Sequence, residues 1–169
     1  YLYAYAQLFD RHVLLPWSLL FRTPIAPLVD GTLLDFFDGH LAEPAMAVLY
    51  AGSIVCWAAA ARHFGARAAL AVALGLLAYP GYAIMFHELS SEPVFAAAFA
   101  LWGLLVIRAV FVPSVARFAV AGLGVALLAL VRPGNAVLLA FAIVPLLVAG
   151  AWRARIGRNT PALAKKPCT

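Results

Sequence analysis

The chain holds charge out of long stretches of itself. Residues 44–61, 68–86, 118–131 and 136–152 contain no Asp, Glu, Lys or Arg. A helix rises 1.5 Å per residue, so roughly 20 apolar residues cross the hydrocarbon core of a bilayer. These runs are close to that length and follow one another with short polar breaks. Composition agrees: 66% of residues are hydrophobic and 11% charged, against about 25% charged in soluble domains. The expected fold is all-α, a polytopic membrane helix bundle.

Its organisation follows from the punctuation. Residues 1–40 are broken by Pro16, Pro24 and Pro27 and carry Tyr1, Tyr3, Tyr5, Trp17 and Phe21, aromatics suited to a headgroup boundary. We expect interfacial helices and loops there, on the outer face. Asp30 is expected to N-cap a short helix running to about Asp38. Residues 41–152 hold about five spans, near 44–61, 68–86, 93–112, 114–131 and 136–152, and 153–169 form a basic tail. Pro44 suits a first helical turn. Pro80-Gly81 breaks the second run, and 80–87 are expected to leave regular helix. Arg108 is read as snorkelling from the third span. The chain begins at Tyr1 without Met and shows no signal peptide; an internal fragment of a longer polytopic protein is expected.

Five alternating spans put Arg62, Arg67, Arg108, Arg117, Arg153, Arg155, Arg158, Lys165 and Lys166 on one side, nine of the twelve basic residues. The positive-inside rule makes that side cytoplasmic. All seven acids, Asp10, Asp30, Asp35, Asp38, Glu43, Glu88 and Glu92, then fall outside with Arg11, Arg22 and Arg132. The net charge of +5 therefore reports topology and gives no reason to expect nucleic acid. Cys56 and Cys168 lie in different environments and are expected unpaired, with no zinc spacing around them.

The most polar piece between two spans is His87-Glu88-Leu89-Ser90-Ser91-Glu92-Pro93. In a helix, His87 and Ser91 would share a face, as would Glu88 and Glu92. The plainer reading is an outer loop with a capped helix start, and the residues alone leave both open. Arg132, beside Pro133-Gly134, has the donors to hold a phosphate bidentately, or it snorkels from a helix end. Arg22 poses the same choice. Asp10, Asp35 and Asp38 read as solvated or capping. His12, His40 and His63 have no metal-site spacing. Gly122 and Gly124 read as close-packing positions.

Three stretches in order carry a resemblance: Arg22-Thr23-Pro24-Ile25-Ala26-Pro27-Leu28, Ser91-Glu92-Pro93-Val94-Phe95, and Leu128-Ala129-Leu130-Val131-Arg132-Pro133-Gly134-Asn135. With the Tyr1-Leu2-Tyr3-Ala4-Tyr5-Ala6 start, they resemble the C-type polytopic glycosyltransferases. The nearest likeness is to bacterial relatives of the polyprenyl-phosphate-mannose protein mannosyltransferases and of the aminoarabinose transferases. That family often has Tyr where this chain has Ala26.

The resemblance implies an inverting transferase in the bacterial cytoplasmic membrane. Its donor is a polyprenyl-phosphate-linked sugar, and its acceptor on the outer face is a protein, glycan or lipid. The family's catalytic acid falls before Tyr1; Asp10 is a poorly placed substitute within the chain. Arg132 and Arg22 would face the lipid phosphate. His87, Glu88, Ser91 and Glu92 would bind substrate, the two carboxylates through sugar hydroxyls or a supporting metal. A divalent cation is the one cofactor the resemblance admits. The competing class is a transporter or other non-enzymatic membrane protein, which a broken helix also suits.

Overall fold

The computed structural model describes residues 24–35, 40–88 and 90–132, and single positions between 134 and 151. Among the described residues every regular element is helical, with no strand. The expected fifth span (136–152) falls largely outside them, and the basic tail wholly outside.

Helix α1 runs Ile25–Asp35. It starts earlier than the capping pattern suggested, because Pro24 already accepts the first helical hydrogen bond, from Leu28 N–H at 3.0 Å. Pro27 sits in the first turn, where its missing donor costs nothing. Asp30 is therefore mid-helix and caps nothing, a correction to its expected role.

Helix α2 (Ala42–Ala61) has Pro44 in its first turn, as expected. It tightens into a 3₁₀ turn at Arg62–Phe64. Gly65 then takes φ 121°, a conformation that L side chains rarely adopt, and the chain reverses into α3 (Ala66–Ala78). The expected second span is two helices. Tyr79 is extended, and Pro80 opens the six-residue α4 (Pro80–Met85) as its N1 residue. The break thus falls at Tyr79, and most of 80–87 is helical, contrary to expectation. Gly81 fits this corner because an added Cβ would lie 2.9 Å from the Tyr79 ring.

Helix α5 (Ser91–Phe111) is capped by Ser90, whose hydroxyl accepts from Glu92 N–H at 3.4 Å. Helix α6 (Val115–Val131) is capped by Ser114, which accepts from Arg117 N–H at 3.2 Å. The capped helix start read in the HELSSEP segment is thus at Ser90, and Ser114 caps α6 in the same way.

Helix α5 is the centre of the bundle, packed against α2 on one side and α6 on the other. Tryptophans seat on glycines at both contacts. An added Cβ on Gly103 would lie 2.8 Å from the Trp57 ring, and one on Gly124 3.0 Å from Trp102. Gly122 meets open space, so of the two glycines expected to permit close packing only Gly124 does so. Helix α3 returns along α2. Helix α4 is tied to α2 by polar and ring contacts: Tyr82 O–H donates to Ser53 Oγ at 2.8 Å, Ser53 O–H donates to the Tyr50 carbonyl at 2.6 Å, and Tyr50 and Phe86 meet edge to face.

Helices α2 and α5 are each long and apolar enough to cross a membrane; α3 and α6 are apolar but shorter. Their surfaces suit that solvent. Only 22% and 28% of the apolar windows of α2 and α5 are buried, with Val48, Val55, Leu70, Leu74 and Leu123 turned outward. A core helix of a soluble protein would bury most of its apolar face.

The bundle has a chemical polarity. Glu43, Glu88 and Glu92 sit where α2 and α5 begin, and Arg62 and Arg108 near where they end. Helix α1 contacts α2, α5 and α6 and is tied to the start of α2 by residues 36–41. It lies across the acidic end, where Met46, Ser91, Pro93, Val94, Leu128 and Val131 are buried.

Candidate functional site at the acidic end

Arg132 follows α6 and precedes Pro133. A residue before proline is disfavoured in the α region, so Arg132 leaves the helix extended, at φ −144° and ψ 129°. Its N–H still donates to the Leu128 carbonyl at 3.2 Å, which fixes the departure of the chain. Helices α5 and α6 run antiparallel, so this position meets the first turn of α5. There the Arg132 guanidinium pairs with Glu92, Nη2 to Oε1, at 3.0 Å.

The carboxylate is itself oriented. Ser91 O–H donates to Glu92 Oε2 at 3.4 Å, and Glu92 N–H donates to Ser90 Oγ. The Arg132 and Glu92 side chains are 45% and 39% exposed. A pair this open contributes about 1 kcal/mol at most to stability. It also leaves guanidinium donors facing outward, since the fork carries five N–H groups. The result is a pre-aimed cation at one end of the bundle, able to take an incoming anion without reorganising its backbone.

The rest of the HELSSEP segment does not join it. Residues 86 and 87 form a turn, with Phe86 N–H bonded to the Ala83 carbonyl and His87 N–H to that of Ile84. Helix begins only at Ser91, because Ser90 caps it there. The pairs His87/Ser91 and Glu88/Glu92 therefore share no helical face, which corrects that expectation. Glu88 is exposed, and its carbonyl accepts from Ser90 N–H at 3.0 Å. His87 lines a different cleft, with Glu43, Ala47, Tyr50, Ala83 and Phe86. Ser91 is buried beside Glu92. Arg22 and Asp10 lie outside the described residues.

Asp30 is the residue the sequence reading misjudged most. It is 1% exposed, and among the described residues neither carboxylate oxygen has a hydrogen-bond partner. Burial disfavours its charged form and pushes its pKa up to about 6. It shares the buried face of α1 with Ala26, Pro27 and Gly31. Those residues, four, three and one positions from it, were the available signal: a face without bulk lets α1 approach its neighbours closely and takes Asp30 in with it.

Among the described residues, no group of three or more His, Cys, Asp or Glu gathers as a metal site would require. No protein-family model, curated protein or solved structure matches the chain.

Proposed function

We propose that the acidic end is the donor-phosphate site of a membrane glycosyltransferase, one that moves a sugar from a polyprenyl-phosphate carrier to an acceptor on the outer face of the bacterial cytoplasmic membrane. In this reading α2 to α6 and the segment 136–152 form the five-span bundle, α1 lies at the outer headgroups, and the basic end faces the cytoplasm. The resemblance of the three ordered motifs supports it. The observation that carries it is the Arg132–Glu92 pair, which brings two of those motifs into contact at 3.0 Å.

The chemistry asks for little more. A carboxylate takes the proton of the acceptor hydroxyl, the oxygen attacks the anomeric carbon, and the carbon–oxygen bond to the lipid phosphate breaks. The bonding electrons leave with the phosphate. A guanidinium held at the headgroup level stabilises that developing charge, and Arg132 has donors to spare for it. Glu92 positions Arg132. Asp30 is fully buried, out of reach of an acceptor hydroxyl, so this reading gives it no proton transfer.

The test is binding of polyprenyl monophosphate to the reconstituted chain. Wild-type protein should prefer it to the free polyprenol. Arg132→Gln should weaken it by about tenfold or more, the scale of a charge-assisted bidentate contact. Equal binding of the phosphate and the alcohol would sink the reading.

A further inference from the structure

The opposite end of the bundle holds the complementary chemistry. The α2–α3 turn carries Arg62 and Arg67, and the α5–α6 connection carries Arg108 and Arg117. Aromatic contacts join the two turns: His63 stacks on Phe111 with ring centroids 4.9 Å apart, and Phe64 meets Phe111 edge to face at 5.5 Å. All four arginines are exposed. None is in an ion pair among the described residues, where the one salt bridge is at the other end. Four like charges gathered without a carboxylate leave a field that favours an anion.

Two of the four define a pocket. Arg108 and Arg117 line it with Leu105, Ala116 and Val120. The Val112 backbone anchors both ends of this wall: its N–H donates to the Arg108 carbonyl at 3.0 Å, and its carbonyl accepts from Arg117 Nη1 at 2.5 Å. That bond uses one of the five Arg117 donors and holds the guanidinium over the connection. Leu105 lies one turn before Arg108 on α5, and Val120 one turn after Arg117 on α6. Both are therefore deeper toward the middle of the bundle than the charges. The pocket grades from two cations at its mouth to hydrocarbon below them, which is the order of groups in a phospholipid.

We propose that this pocket binds one anionic phospholipid, with the phosphodiester between Arg108 and Arg117 and the start of an acyl chain along Leu105 and Val120. The site needs only α5 and α6 to lie in a bilayer and is independent of the transferase reading. A free phosphate would use the arginines and leave the apolar slot empty, so the slot argues for the lipid. Basic pockets between spanning helices at a cytoplasmic surface are a recurrent physical solution for anionic headgroups.

The experiment is native mass spectrometry of the full chain released from nanodiscs of phosphatidylcholine mixed with phosphatidylglycerol. Wild-type protein should retain one phosphatidylglycerol in preference to phosphatidylcholine. The pair Arg108→Gln/Arg117→Gln should lower that preference by about 30-fold, at about 5-fold per basic residue near an anionic surface. Arg62→Gln/Arg67→Gln should leave a clear preference. Val120→Trp, which fills the slot and keeps both charges, should lose the lipid, and it tests the site even if the double variant folds poorly. Millimolar inorganic phosphate should not displace the lipid. Equal retention of the two lipids, equal damage from both arginine pairs, retention by Val120→Trp, or displacement by inorganic phosphate would each overturn the proposal.

Discussion

Asp30 buries a carboxyl group with no hydrogen-bond partner among the described residues, and folding must bear the cost of charging it. Its folded pKa of about 6 stands above the ordinary 3.8, so the folded state binds the extra proton between those values. The sign follows: this contribution favours the fold fully below about pH 4, declines as pH rises through 6, and is gone above it. A shift of about two units corresponds to roughly 3 kcal/mol. Asp30→Asn removes the charge and keeps the shape. It should stabilise the protein by about 1–3 kcal/mol at pH 8 and change little at pH 4, read from thermal unfolding in detergent across that range. Little of this was legible in the sequence beyond the small residues beside it, because an Asp before an apolar stretch reads equally well as a cap. The sequence placed Arg132 and Glu92 on the same side at helix ends, but that Glu92, and not Glu88, meets Arg132 depends on where Ser90 starts α5.

Helix α5 is fixed by what it lacks as much as by what it carries. The Trp57 ring occupies the place a side chain at Gly103 would need, and Trp102 does the same at Gly124. Gly103→Ala should therefore cost about 1–3 kcal/mol through overpacking between α2 and α5. Gly124→Ala should cost less, since its contact is looser and Ala is the better helix former. Gly122→Ala should be neutral or stabilising by up to about 1 kcal/mol, having open space to enter. Melting temperatures of the three variants check the order, and a Gly122 variant as damaged as Gly103 would contradict the packing described. The sequence marked Gly122 and Gly124 alike because spacing does not say which helix face meets a neighbour. It also marked the break near Pro80 but set it one residue late: proline begins a helix more readily than it ends one, so the irregular residue is the Tyr79 before it.

Across the whole molecule, the sorting of charge is the feature on which both proposed sites depend. Glu88 and Glu92 mark one end, and Arg62, Arg67, Arg108 and Arg117 the other, with apolar side chains turned outward between them. The sorting was visible in the sequence because charged residues can sit only where a span ends. The number of spans was less visible, because hydropathy runs continuously through Tyr79 while the backbone does not. A bilayer reading requires the two ends to face different compartments. Glu88→Cys and Arg67→Cys test this, each in a background with Cys56 and Cys168 replaced by Ser. Both positions are exposed, so a thiol there is reachable in either topology. A membrane-impermeant maleimide applied to intact cells should label position 88 directly and position 67 only after permeabilisation. Labelling of both in intact cells, or of neither, would mean that the α3–α4 segment between them does not cross. The reverse pattern would keep the spans, place the arginine pocket outside, and bring the Arg132–Glu92 pair to the cytoplasmic face, where an outer-face transferase has no use for it.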